Sequence, residues 1–144
     1  KTKAKAQPSC TDVTGFGLLG HLGEMLQASS QSLQVVLDGS AIPALPGALK
    51  LLKKKYASSL APANRRAWSL LDPSQNQPAK VILPRSGNGL DPEDDQATLE
   101  LLVDPQTCGP LLLSCSEAMA DALLQAKDTP WHRIGVVQHS GIAQ

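Results

Sequence analysis

Asp12, Thr14, Gly15, Gly17 and Gly20 fall within the stretch Thr11-Asp12-Val13-Thr14-Gly15-Phe16-Gly17-Leu18-Leu19-Gly20-His21-Leu22. Their types suit phosphate chemistry. Glycines at the first turn of a helix leave backbone N–H groups bare, and such amides attract anions. A carboxylate just upstream repels phosphate directly. It can instead hold Mg²⁺, an oxygen-preferring cation that bridges a carboxylate and substrate phosphates. Asp12 therefore reads as a candidate Mg²⁺ ligand, with the first-turn amides at Gly15 and Gly17 as candidate anion contacts. The competing reading is local, since an aspartate here also serves as an N-cap or closes an Asx turn.

Gly15, Gly17 and Gly20 also spell the G-x-G-x-x-G of a dinucleotide-binding turn. That fingerprint needs a buried strand entering, a helix leaving and an acidic residue about 20 positions on. The helix is expected, and Asp38 ends a candidate strand 18 positions after Gly20. The entering strand is not expected. Residues 5–13 hold no apolar run, and Pro8 would interrupt a central strand. A dinucleotide site survives only if a strand precedes Gly15. Gly20 and Gly23 read instead as places of close helix packing, at a cost of roughly 1 kcal/mol each relative to alanine.

A second polar cluster, Asp104-Pro105-Gln106-Thr107-Cys108, reads as a turn leading into the apolar Leu111-Leu112-Leu113. Cys108 has no partner at a telling spacing and reads as a buried or neutral thiol. His21 lies three positions before Glu24 and reads as a packed or solvent-facing side chain. His132 and His139 show no metal-ligand spacing to Cys or Asp. No nucleophile–base pair can be assembled from spacing. Lys53-Lys54-Lys55 reads as a solvated helix end favoured by the helix dipole.

Periodicity places these residues on an alternation of helices and strands. Leu18, Leu19, Leu22, Met25 and Leu26 recur at helical spacing, giving a helix from Thr14 to about Gln27. Residues 33–37 form a strand ending at the turn signal Asp38-Gly39. A helix over 45–55, a short helix around 64–71 and a strand over 80–83 follow. Residues 86–95 read as a loop and 93–103 as a helix. A strand at 111–113 precedes a helix capped by Ser116. A last strand at 133–137 is followed by a hairpin return at 141–143. The sum is an α+β fold, a layered mixed sheet with packed helices.

Composition sets the outer limits. The 144 residues make one domain by length, and apolar residues at 42% allow a normal core. Aromatics are few (Phe16, Tyr56, Trp68 and Trp131), so the core must be aliphatic. Thirteen basic and thirteen acidic side chains cancel, which disfavours a nucleic-acid partner. No run approaches membrane-spanning length. Three cysteines without a C-x-x-C pattern point to a reducing cytoplasm. The lysine-rich start, residues 1–10, reads as a linker or the start of a fragment, with a single domain over 11–144.

Asp12-Val13-Thr14-Gly15-Phe16-Gly17-Leu18-Leu19-Gly20-His21-Leu22 resembles the signature of selenophosphate synthetase (selenide, water dikinase). Leu102-Val103-Asp104-Pro105-Gln106-Thr107-Cys108-Gly109-Pro110-Leu111-Leu112 resembles that family's D-P-Q-T-S-G-G-L-L segment. Asn64 and Ile134-Gly135-Val136-Val137 are weaker echoes in family order. The resemblance implies the C-terminal half of an enzyme with aminoimidazole-ribonucleotide-synthetase-like architecture. In that family ATP, selenide and water give selenophosphate, phosphate and AMP. Asp12 aligns with the metal-binding aspartate of this half, so the resemblance implies Mg²⁺ and ATP as cofactors of the intact protein, with Thr14 and Gly15 as contacts to phosphate or bound water. The roles of Asp104, Gln106, Thr107 and Cys108 stay open.

The resemblance further implies a missing N-terminal half carrying the catalytic Cys or selenocysteine and a lysine, and a homodimer. The chain alone is expected to be inactive. Cys108 stands where the family has serine and Pro110 where it has a second glycine. Proline lacks an N–H donor, so an anion contact from that amide is lost. Two alternatives stand beside this reading. One is a docking or assembly module fused to a pyridine nucleotide-disulfide oxidoreductase. The other is a different ATP-dependent synthetase or kinase of the same superfamily.

Overall fold

The computed structural model describes residues 7–66, 79–82 and 92–139. Strand β1 (Ser9–Asp12) leads to helix α1 (Gly17–Gln27), and β2 (Leu33–Leu37) follows. Helices α2 (Ala48–Lys53) and α3 (Ala61–Asn64), strand β3 (Ala79–Ile82) and helix α4 (Pro92–Val103) continue the chain. It closes with β4 (Leu111–Ser114), α5 (Glu117–Leu124) and β5 (Gly135–His139).

Two sheets result. β1 and β4 pair antiparallel, with Asp12 opposite Leu111 and Ser9 opposite Ser114. The second sheet has the order β3-β2-β5, with β2 parallel to β3 and antiparallel to β5. The architecture is therefore α+β with a mixed sheet, as the alternation of periodicities implies.

The core is aliphatic. Leu19, Leu22 and Leu26 of α1 meet Val35 and Leu37 of β2, Ala61 of α3, and Leu102 and Val103 of α4. Leu102 and Val103 are the largest fully buried side chains. Each contributes on the order of 2 kcal/mol through area removed from water. The C-terminal turn of α4 is thus fixed most firmly, and it lies against the start of α1. No helix among the described residues is long and apolar enough to cross a membrane.

Several expectations need correction. A strand does precede Gly15, and it begins at Ser9, inside the stretch read as a linker. β1 is exposed along most of its length, so it carries no apolar alternation, and Pro8 sits just ahead of it. The dinucleotide site still fails, because β1 and β2 lie in different sheets and form no parallel βαβ unit. Asp38, the candidate ribose ligand, instead caps the 3₁₀ turn at Gly39–Ala41 by accepting from the Ser40 amide.

Helix α1 starts at Gly17 rather than Thr14. Gly17 has φ +69°, a left-handed conformation that ends the preceding turn. Helix α2 is shorter than 45–55, beginning after Gly47 at φ +87° and ending at Lys53, with Lys54 and Lys55 exposed beyond it. Ser116 occupies the N-cap position of α5, but its side chain makes no capping bond. The short helix lies at Ala61–Asn64, with Pro62 in its first turn; it ends where the expected 64–71 helix begins, and Arg65 and Arg66 form a turn. The part of that expectation beyond residue 66 lies outside the described residues, as do residues 86–91 of the expected 86–95 loop and the hairpin return at 141–143, while residues 92–95 belong to α4 rather than to a loop.

Candidate functional site

β1 carries Asp12 to its C-terminal end, opposite the first residue of β4. The carboxylate is exposed, and among the described residues no hydrogen bond or ion pair engages it. The next residue, Val13, is buried at 4% exposure and anchors the chain. Its N–H donates to the Pro110 carbonyl at 2.9 Å. A Cβ on Gly109 would overlap the Val13 carbonyl oxygen, so only glycine allows this approach. The proline at 110 removes a donor, yet the β1–β4 junction uses its acceptor.

The Thr14 carbonyl accepts two bonds, from the Gly17 amide at 2.9 Å and from the Gln106 amide at 3.1 Å. The first closes the turn before α1. The second ties that turn to the segment after α4. The structure therefore brings together the two motifs singled out in the sequence. The Gln106 side chain faces inward to its own loop, donating to the Asp104 carboxylate at 3.0 Å. Thr107 and Cys108 are exposed at the edge of this loop, so Cys108 is a solvent-facing thiol rather than a buried one.

The glycines divide by role. Gly15 is exposed, and a Cβ there would meet nothing within 4 Å. Gly17 is buried, and a Cβ there would lie 2.8 Å from the Val103 carbonyl carbon. A Cβ on Gly20 would lie 2.6 Å from the Phe16 Cβ. Gly15 thus leaves open space beside Asp12, while Gly17 and Gly20 permit contact. The Gly17 amide is already engaged with Thr14.

Asn64, a weak echo in the sequence, proves central. It is 9% exposed, and its Nδ2 donates to the Gly15 carbonyl at 2.8 Å and to the Val103 carbonyl at 3.0 Å. The adjacent Arg65 grips the buried Glu100 through Nε at 2.9 Å and Nη2 at 2.7 Å. The Gln96 amide donates to the same carboxylate at 2.9 Å. Hydrogen bonding to Glu100 holds the Arg65 guanidinium above its ordinary pKa. α3 is therefore clamped to α4 and to the motif turn together.

His21 is the second residue whose role spacing left open. Its Nε2 lies 3.0 Å from the Thr14 hydroxyl, and its Nδ1 lies 3.1 Å from Glu24 Oε2. The i, i+3 placement of His21 and Glu24 was the legible part of this chain of bonds. Thr14 joins it only because the turn at Gly17 folds the chain back onto α1. The Phe16 ring lies against the imidazole, with centroids 5.6 Å apart.

Among the described residues no group of three or more His, Cys, Asp or Glu side chains could cage a metal. A single free carboxylate suits Mg²⁺ all the same. That ion keeps several waters and commonly takes one or two carboxylates plus substrate phosphates. Asp12 fits that part, whereas the Asp104 carboxylate is already bonded within its own loop.

The family described as AIR synthase related protein, C-terminal domain, matches residues 6–143. A selenide, water dikinase of Nitratidesulfovibrio vulgaris is 35% identical over 137 residues, covering 92% of this chain and 34% of that protein. The selenide, water dikinase of Rhizobium meliloti is 41% identical over 115 residues, covering 80% and 28%. That of Agathobacter rectalis is 32% identical over 131 residues, covering 88% and 32%. The chain spans about a third of the length of these relatives. The match over nearly every residue, with both glycine-bearing turns inside it, places the chain in the AIR synthase related family as a selenophosphate-synthetase-like C-terminal domain.

Proposed function

We propose that this domain supplies part of the nucleotide site of an enzyme that makes selenophosphate, phosphate and AMP from ATP, selenide and water. Asp12 is its Mg²⁺ ligand, and Thr14 and Gly15 contact phosphate or metal-bound water beside it. The observation that carries this reading is the state of Asp12. Its carboxylate is exposed and unengaged among the described residues, while the backbone from Val13 to Gly17 is pinned by Pro110, Gln106 and Asn64. A free charged group on a braced turn is preorganised for a ligand, because little ordering remains to be done on binding.

The residues divide the work. Asp12 offers negative charge to a cation. The open space over Gly15 admits a bulky triphosphate, and Gly17 fixes the turn from behind. When bound, Mg²⁺ would offset the triphosphate charge so that a nucleophile can approach phosphorus. The remaining catalytic groups belong to the rest of the polypeptide, which also forms the homodimer, in a reducing cytoplasm.

In the intact protein, Asp12→Asn is expected to lower Mg²⁺-ATP turnover by roughly 100-fold or more, since it removes a charged metal ligand. Near-normal turnover in that variant would sink the assignment. The chain alone is expected to release no AMP.

A further inference from the structure

His21 is buried, 8% exposed, and both of its ring nitrogens are engaged. The Glu24 carboxylate, when ionised, accepts hydrogen bonds and cannot donate. The proton on Nδ1 therefore points to Glu24 Oε2. In the neutral imidazole, Nε2 then carries a lone pair. The Thr14 hydroxyl must be the donor in the second bond, so its one proton is spent on His21. Only lone pairs are left to face anything else. Phe16 packs against the imidazole, and Gly20 leaves room for Phe16 to do so.

We propose that Glu24 and His21 fix the polarity of the Thr14 hydroxyl, making it a hydrogen-bond acceptor for the water shell of a divalent cation beside Asp12. Asp12 and Thr14 flank the buried Val13, and both are accessible. A triphosphate oxygen is an acceptor and finds no donor at Thr14. Water bound to a divalent cation is a strengthened donor, and it finds an acceptor. Thr14 is then a water-holding residue, and His21 and Glu24 are positioning residues that act through it. This inference rests on the proposed metal role of Asp12.

The test uses the intact protein with ¹⁵N-labelled histidine, whose ring nitrogens report directly which of them carries the proton. Wild type is expected to show His21 protonated at Nδ1 and bare at Nε2. Mn²⁺, read by its paramagnetism, serves as the probe for Mg²⁺. Glu24→Ala is expected to release the Nδ1 preference and to weaken Mn²⁺ binding roughly tenfold, the scale of effects from groups that orient metal-site residues. Glu24→Gln retains an amide oxygen that accepts from Nδ1 and is expected to restore both readings. Thr14→Val is expected to weaken Mn²⁺ as Glu24→Ala does, and Thr14→Ser to preserve it.

Glu24 has 61% of its side chain exposed, so its replacement is tolerated by the fold. A proton on Nε2 in the wild type would overturn the proposal on its own, without any variant. So would unchanged Mn²⁺ affinity in Glu24→Ala when the tautomer has shifted. Asp12→Asn separates the two ideas. If it abolishes Mn²⁺ binding while Glu24→Ala has no effect, the metal ligand stands and the hydroxyl polarity fails. If it leaves Mn²⁺ binding unchanged, the metal ligand fails and the inference falls with it.

Discussion

The side-chain amide of Asn64 reaches the carbonyl of Gly15 across 49 positions of chain, at 2.8 Å, and holds the Val103 carbonyl with its other proton. One buried amide thus joins the exposed motif turn to the most deeply packed part of α4. Asn64→Leu keeps the branched four-atom shape, with bulkier ends, and leaves both carbonyls without their donor. The expected cost is about 2–3 kcal/mol, from two lost bonds and the desolvated acceptors they leave. Asn64→Asp is expected to cost more, because it aims a carboxylate at two carbonyl oxygens. Urea unfolding at neutral pH reads both, and a loss under about 0.5 kcal/mol for the leucine variant would show that the clamp does not hold the turn.

Gly17 and Gly15 give opposite expectations two residues apart. Gly17→Ala places a Cβ against the Val103 backbone in a left-handed conformation. The combined overlap and strain are expected to cost about 3 kcal/mol. Gly15→Ala adds a methyl to open space and is expected to stay within about 0.5 kcal/mol of wild type. Equal destabilisation by the two alanines would contradict the packing described for Gly17. Nucleotide binding by the intact protein is expected to respond to Gly15 in the reverse sense, since bulk there intrudes where phosphate is proposed to lie.

Much of this arrangement was legible in the residues, and the parts that were not share a cause. β2 has the bounds expected of Leu33–Leu37 because one face is buried at Val35 and Leu37, leaving a period-two signal. α1 was visible through its leucines, but its first turn was not, since a left-handed glycine has no signature in hydrophobic spacing. β1 is exposed along most of its length, and a strand without a buried face leaves no alternation to read. The two motif turns were each conspicuous. Their contact through Thr14 and Gln106 spans about ninety positions, which periodicity cannot reach. Asn64 owes its role to contacts of that kind, whereas His21 reaches Thr14 locally, through the turn at Gly17.

The pairing of Arg65 with Glu100 carries a third expectation. Glu100 has 8% of its side chain exposed, and Arg65 has 44%. The buried partner loses most if the pair is broken. Among the described residues, Arg65→Ala leaves the carboxylate with the Gln96 amide alone, and the expected cost is about 2 kcal/mol, less than for a fully buried pair because water reaches the arginine side. Arg65→Leu combined with Glu100→Leu removes both charges and is expected to recover most of that loss. A double-mutant cycle in thermal unfolding measures the coupling, and a double variant less stable than Arg65→Ala would argue against this account.

Acid should weaken the turn at Asp38. The Ser40 hydroxyl donates to its carboxylate at 2.6 Å and the Ser40 amide at 3.0 Å. These bonds, the hydroxyl first, hold the carboxyl below its ordinary value. A depressed folded-state pKa means the unfolded chain binds the proton more readily. The contribution to stability is therefore present above the unfolded carboxyl's pKa and is lost as pH falls through the lower folded value. Replacing Asp38 with alanine removes that dependence. The urea midpoint of wild type is expected to exceed that of Asp38→Ala at neutral pH, with the gap narrowing on acidification below the ordinary aspartate range. A gap that stays constant across that window would show that the Ser40 bonds do not favour the ionised form.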